Sequence, residues 1–451
     1  MRSKYGGTMK ANLNGVIPRL RFPDFDEAWL SASIRDLYEF KSTNTLSRDK
    51  LNYNGSGIRN IHYGDIHTKF SPRFILAKEK VPFVNDGELS VRLNVDSFCV
   101  AGDMVLADAS EDVDDVGKSI EIIDLLGERV VAGLHTILAR RIGDELIVGF
   151  GACLFRSPAV REQIKRESQG AKVLGISPTR LAGVLLPYPR KPDEQRKISD
   201  CLSSLDDCIG AEIRKFDALK THKQGLMDQL FPAEGQRLPR LRLPEFRGSP
   251  DWVVRPLGEL VDLLSGYPFE GRQIVADNTG ERLMRGVNIT EGAIRHNDEI
   301  DRYYQGPTES LEKYRLHPGD LVIGMDGSKV GKNSALITKN DAGALLVQRV
   351  ARLRATSLPK INFIFHQIHA PRFHAYVDRI NTSSGIPHVS AKQIKEYPIH
   401  SAGELEEQRI AGCLSSLDAQ IAAQSKKIAV LKRHKQGLMQ GLFPAIELKS
   451  P

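Results

Sequence analysis

The chain is poor in the residues that hold a protein together covalently or through metal. Its five cysteines are Cys99, Cys153, Cys201, Cys208 and Cys413. They form no C-x-x-C pair, and an odd count without regular spacing argues against a disulfide framework and against a zinc site. The 12 histidines contain no H-x-x-x-H or H-E-x-x-H pair, so no metal is expected. No stretch approaches the roughly 20 apolar residues of a membrane span, and the opening MRSKYGGTMKANLNG lacks the apolar core of a signal peptide. A soluble protein of the reducing cytoplasm is the expectation. The Asn-Pro-Pro-aromatic and Asp-Pro-Pro-aromatic motifs of amino-methyltransferases are also missing. The nearest approach to a phosphate loop, GMDGSKVGKNSA from Gly324, sets Gly327 one residue too close to Gly331 and puts Asn333 where a metal-binding hydroxyl belongs. Nucleotide binding is excluded on that spacing, and no cofactor is expected.

What is present is repetition. The block CLSSLDDCIGAEIRKFDALKTHKQGLMDQLFPA from Cys201 aligns without gaps on CLSSLDAQIAAQSKKIAVLKRHKQGLMQGLFPA from Cys413. EQRKI at Glu194 matches EQRI at Glu407. Upstream, PRLRFPDFDEAWL from Pro18 corresponds to PRLRLPEFRGSPDW from Pro239, each ending on one of the 2 tryptophans, Trp29 and Trp252. One long unit is therefore written twice, which is not the short period of a solenoid. The net charge of +7 and pI near 9.0 lean towards a polyanionic partner.

In the second copy Ile410, Leu414, Leu417, Ile421, Gln424, Ile428, Leu431, Lys435, Leu438 and Leu442 recur at alternating spacings of four and three, a heptad seam. The first copy keeps the same frame with Ile198, Leu202, Leu205, Ile209, Glu212, Phe216, Leu219, Lys223, Leu226 and Leu230. Pro192, Asp193 and Glu194 suit a helix start, and Pro232 and Pro444 supply the stops. Some 35 to 40 residues give a rod of roughly 50 to 60 Å. Two seams of equal length imply that the helices cover each other. A pseudo-twofold relation would make them antiparallel, with the heads at opposite ends and the polar Glu212 and Gln424 in neighbouring layers. The alternative is that each helix packs only on its own head.

The remaining sequence reads as two mixed domains with strands dominant. RLMRGVNITEGAI, GDLVIGMDGS, AGDMVLADAS and ERVVAGLHTILARRI alternate as strands do, while SPAVREQIKRES and NFIFHQIHAPRFHAYV read as short helices. The expected class is α+β. It comprises a tail at 1–17, a head at 18–190, a helix at 191–232, a second head at 233–402, a second helix at 403–445 and a tail at 446–451.

This order resembles the specificity subunit of a Type I restriction-modification enzyme. The matching pieces are the EQR helix starts, the doubled CLSSLD and HKQGLM blocks, the GD strands at Gly102 and Gly319, RNIHYGDIH at Arg59, SGIPHVS at Ser384 and its counterpart GAKVLGIS at Gly170. The resemblance implies two target recognition domains, each reading half of a split double-stranded DNA target, on a helical spacer that sets the gap. It also implies a non-catalytic chain. Two modification subunits carrying S-adenosylmethionine and the adenine-methylating site would dock on the helices, and restriction subunits would join through the complex.

Side-chain chemistry nominates the readers. Arginine pairs bidentately with guanine, asparagine with adenine, and lysine neutralises phosphate. On these grounds Arg59, Asn60, His62, Tyr63, His67 and Lys69 are candidates in the first head, and Arg285, Asn288 and Thr290 in the second. Lys329 and Lys332 lie on a Gly- and Lys-rich turn, and Ser383, Ser384, His388 and Lys392 on a small-residue loop that could meet a phosphate. The competing reading is structural: Tyr63 and one histidine belong to the core, Asp65 caps a turn, and His222, His434, Lys223 and Lys435 are solvated helix residues. From another class, a coiled-coil scaffold with protein-binding heads would share the same plan.

Overall fold

The structure is a computed structural model that describes residues 16–88, 95–381 and 387–445. Two helices dominate it, α1 at Pro192–Leu230 and α2 at Glu404–Leu442, each of 39 residues. The chain divides into two compact units. Among the described residues the first comprises those up to Glu212 together with 427–445, and the second those in Ile213–Lys426. Each helix thus contributes one half to each unit.

In the first unit, a five-stranded sheet runs in the order Tyr38–Lys41, Thr136–Arg141, Met104–Ala107, Ser119–Asp124, Arg73–Ile75. A four-stranded sheet runs Val130–Ala132, Arg59–Ile61, Phe83–Val84, Leu51–Asn52. Strand Arg59–Ile61 pairs in parallel with Val130–Ala132. Leu30–Ser33 pairs with Leu185–Tyr188 and closes the head just before α1 begins. The second unit repeats the plan. Asp262–Ser265, Val350–Arg354, Leu321–Gly324 and Ser334–Leu336 form one sheet. Glu281–Met284 lies parallel to Leu345–Leu346 in the other, and Val253–Pro256 pairs with Pro398–Ser401. The two GD strands are anchored alike. Asp103 accepts from Val100 N and from Arg140, and Asp320 accepts from His317 N and from Arg354.

The helix seam is the covered face. In α1 and α2 every seam position named above is buried or half-buried, while His222, His434 and most of their neighbours off the seam are exposed. Lys223 and Lys435 are not solvated. Lys223 Nζ donates to Asp418 Oδ1 at 2.6 Å, and the equivalent Lys435 donates to Asp206. Glu212 accepts from Lys427 at 2.6 Å, and Gln424 is buried.

Each helix ends against a tryptophan. In the first unit Ile198, Leu202, Met439, Leu442 and Phe443 join the core around Trp29. In the second Met227, Leu230, Phe231, Ile410 and Leu414 surround Trp252 and Phe363. The helix starts show that the matched EQR motifs are one residue out of step. Keeping the ungapped register of the helices, Glu194 corresponds to Glu406, and both are gripped by the second arginine of PRLR. Arg21 binds Glu194 at 2.8 and 2.9 Å, and Arg242 binds Glu406 at 2.9 and 2.8 Å.

Three stretches divide into two elements each. RNIHYGDIHT is a strand followed by a short helix, Tyr63–Thr68, because His62 caps it through Nδ1. ERVVAGLHTILARRI is two strands, broken at Gly133–His135. NFIFHQIHAPRFHAYV falls in helices Leu358–Ile368 and Pro371–Ile380, parted before Pro371. Among the described residues no helix is long and apolar enough to cross a membrane.

Candidate nucleic-acid interface

A parallel strand pair at the edge of one sheet in each head carries or leads into the expected side chains. In the first head Arg59 is not free to read a base. It pairs with Glu128, donates to Val81 O at 3.0 Å and covers the Phe83 ring at 4.0 Å. Asn60 is 0% exposed and accepts from Asn44 Nδ2 at 2.7 Å, so burial removes it from any DNA surface. His62 is buried and accepts from Gly64 N at 3.1 Å. Burial first, and then the Arg48 charge, lower its pKa and favour the neutral ring that a capping acceptor needs. Asp65 is also buried. Burial pushes its carboxyl up, but hydrogen bonds from Arg48 and Lys69 outweigh that and leave the pKa lowered. It therefore anchors two cations rather than capping the turn.

The accessible groups of this head are fewer. Lys69 is half-exposed and lies 2.8 Å from Asp65. Tyr63 packs edge-on against His67 and His135, and His67 Nε2 lies 3.1 Å from Ala109 O. His135 was not nominated from sequence, yet its exposed ring lies 3.2 Å from Asp108.

The second head treats its candidates the same way. Asn288 is 0% exposed and donates to Asp301 Oδ1 at 2.9 Å while accepting from Arg285 N at 3.2 Å. It holds a turn and reads nothing. Thr290 Oγ1 donates to Ala293 O at 2.8 Å and closes the next turn. Arg285 is half-buried, its guanidinium donating to Ile300 O at 3.2 Å. Burial and then Arg302 lower its pKa. With Gly286, Val287, Asp326, Val347, Gln348 and Arg349 it lines an open groove of about 400 Å³. Gln348 and Arg349 are not among the residues expected from sequence.

The remaining candidates lie beside that groove or away from it. Lys329 reaches Glu291 at 3.3 Å and Lys332 reaches Asp378 at 3.2 Å. His388 bridges to Asp326 through the backbone, its N–H donating to Asn381. Lys392 is 84% exposed near Glu396. Ser383 and Ser384 lie outside the described residues. The second head thus presents Lys329 and Lys332 beside its groove, each paired with a surface carboxylate that a polyanion can displace. Buried asparagines fix the frame behind them.

Known proteins share this architecture. The family model for the Type I restriction modification DNA specificity domain matches residues 250–433. The MjaVIII specificity subunit of Methanocaldococcus jannaschii is 24% identical over 299 residues, 64% of this chain and 68% of that protein. The EcoAI specificity subunit of Escherichia coli is 29% identical over 188 residues, 41% of this chain and 31% of that one. Among solved structures, a Type I S subunit from M. genitalium aligns over 95% of this chain and 99% of its own, with 15% identity and a TM-score of 0.58. A chain solved in work on assembly and conformational transition of the type I R-M system aligns over 92% and 97%, with 15% identity and a TM-score of 0.52. These two likenesses fix the fold. The chain thus matches the Type I restriction modification DNA specificity domain over residues 250–433, and the relatives it resembles are specificity subunits of Type I restriction enzymes.

Proposed function

We propose that this chain gives a Type I restriction-modification complex its DNA sequence specificity, each head reading one half of a split target. The observation that carries this is one strand frame built twice with different side chains at its exposed turns, His135 in one and Arg349 in the other. A frame repeated with altered contacts suits two unlike half-sites. The chain itself is non-catalytic. Modification subunits, two to each copy, bring S-adenosylmethionine and the adenine-methylating site, restriction subunits bring cleavage, and the complex works on cytoplasmic DNA.

The helices act as the spacer, paired as an antiparallel coiled coil of pseudo-twofold symmetry. Three ion pairs support that reading: Lys435 with Asp206, Lys427 with Glu212, and Lys223 with Asp418. Numbers rise along one helix as they fall along the other, and Lys223–Asp418 is the repeat image of Lys435–Asp206. The domain limits at 18–190 and 233–402 for the heads belong to the same reading.

The test is co-expression with a cognate modification subunit, followed by sequencing of host DNA for methylated adenine. One split motif, present only when both proteins are made, is expected. Adding one heptad to both helices, beside Glu212 and beside Gln424, keeps the seam and lengthens each by about 10 Å, close to three base pairs. The gap should widen with both half-sites unchanged. Altered half-sites would refute the spacer, and failure to form any complex would favour a protein-binding scaffold.

A further inference from the structure

Among the described residues, three that are not glycine hold a positive φ: Leu126 at 53°, His135 at 55° and Arg349 at 65°. The last two occupy the same place in the two heads. His135 follows the strand Val130–Ala132 and precedes Thr136–Arg141; Arg349 follows Leu345–Leu346 and precedes Val350–Arg354. Both preceding strands run parallel to the strand that carries the head's first candidates, Arg59 and Asn60, or leads directly into them, at Arg285. Each side chain meets an aspartate just past the end of the neighbouring GD strand. His135 Nδ1 lies 3.2 Å from Asp108 Oδ1, and Arg349 donates to Asp326 Oδ2 at 3.0 Å.

Glycine holds such a turn without steric cost, whereas a side chain there strains the backbone. Both turns carry one all the same, and it faces solvent, 51% exposed for His135 and 65% for Arg349. A strain repeated at equivalent positions points to a use for the side chain rather than for the turn. The surroundings say what use. Arg349 stands with Arg285 and Gln348 in the open groove of the second head. His135 meets Tyr63 edge-on, with ring centres 5.4 Å apart. A guanidinium steadied by a carboxylate is aimed for the paired acceptors O6 and N7 of guanine, and an imidazole can donate to either.

We propose that His135 and Arg349 are the equivalent base-reading residues of the two heads, each aimed by its aspartate, with Arg349 reading a guanine. This rests on the DNA-reading function proposed above. The test uses the full chain with its modification subunit and the methylated motif as readout. Arg349→Gly and His135→Gly keep the turn and remove only the side chain. Arg349→Gly should relax the motif at one base pair, a G·C pair in the unaltered protein, and leave the other half-site intact. His135→Gly should relax one base pair in the opposite half. An unchanged motif overturns the assignment for that residue, and so does relaxation spread over both halves. If a variant abolishes methylation, binding of its complex to duplexes carrying each single base change decides. Weakening that is equal for every duplex overturns the proposal; lost discrimination at one position supports it. Absence of any split motif from the unaltered complex would instead sink the DNA-reading function, whatever the variants do.

Discussion

The turn that follows Asp108 and the turn that follows Asp326 leave equivalent strands and close on equivalent glycines, yet they carry opposite charge. Gly117 and Gly331 both adopt positive φ, at 64° and 70°. Each lies under a helix, where a Cβ would come within 2.6 Å of Ile164 or 2.9 Å of Val377. Packing therefore fixes both ends of the loop. Between them the first head places Glu111, Asp112, Asp114 and Asp115, and the second places Lys329, while the lysine just past the closing glycine, Lys118 or Lys332, is common to both. The difference teaches how one fold serves two targets: the residues that touch the core are held, and the charge between them is free to vary. A lysine loop draws a DNA backbone in, and an acidic loop keeps it away. The first head must therefore meet DNA through other groups.

The contrast reaches the buried ionisable residues, where the effects on stability are largest. Glu121 in the first unit is buried and accepts from Gly149 N at 2.6 Å and Ala152 N at 2.7 Å. Burial pushes its pKa up from 4.5 to about 7, although those two donors pull it down. The folded unit then holds a proton that the unfolded chain has released, so stability falls as pH rises from about 4.5 to 7. His366 in the second unit is buried against Ser415, with Asp418, Lys223 and His369 around it. Burial first, then Lys223, push its pKa down from 6.5 to about 3. There the unfolded chain binds a proton that the folded unit refuses, so stability falls as pH drops from about 6.5 towards 3. Between about pH 4.5 and 6.5 the two units should have opposite slopes, each on the order of 1.4 kcal/mol per pH unit. One tryptophan in each unit makes this measurable. Urea unfolding followed by fluorescence reports the first unit in Trp252→Phe and the second in Trp29→Phe. Glu121→Gln should flatten the first slope and His366→Phe the second. Parallel slopes in the two reporters would remove the contrast.

The tryptophans themselves give a smaller difference. Trp29 Nε1 donates to Glu194 Oε1 at 3.1 Å, inside the grip of Arg21. Trp252 sits against Phe231 and Phe363, but its Nε1 has no hydrogen-bond partner among the described residues. Trp→Phe removes similar volume at both sites. At Trp29 it also removes a bond to a charged carboxylate, worth on the order of 1.5–3 kcal/mol, whereas at Trp252 it removes a buried donor that gains nothing. Chemical denaturation should show Trp29→Phe to be the costlier change by about that amount. Equal costs would mean that the Glu194 bond is not felt.

The scaffold was legible in the sequence because its signals are periodic. Alternating steps of four and three place Leu202, Leu205, Leu414 and Leu417 on one helix face, and Pro192 and Pro232 mark where α1 starts and stops. The readers were not, because residue type carries no information about direction. Asn60 and Asn288 have the right chemistry for bases and are turned into the head, where an unpaired polar group is costly, while Arg59 is taken up by Glu128. His135 and Arg349 look like ordinary strand residues, since a positive φ leaves no mark in a sequence. The off-by-one pairing of the two EQR motifs has a similar cause. The letters repeat, but the geometry follows Glu194 and Glu406, the carboxylates their arginines reach.

The smallest expected effect tests the charge contrast directly. Lys329 is 62% exposed and Lys332 32%, and each is answered only by a surface carboxylate, Glu291 or Asp378. Such pairs are worth about 0–1 kcal/mol, so a phosphate can displace them. If the loop of the second head meets the DNA backbone, each lysine that does so releases counterions, and Lys329→Ala should reduce the slope of log affinity against log salt by about 0.9. The same change at Asp112, exposed in the acidic loop, should leave that slope unaltered, because a residue that makes no phosphate contact displaces no counterion. Titration of the target duplex at several salt concentrations separates the two. An equal response from Lys329→Ala and Asp112→Ala would show that the loops act only through net charge, and that their opposite signs do not mark where each head meets the backbone.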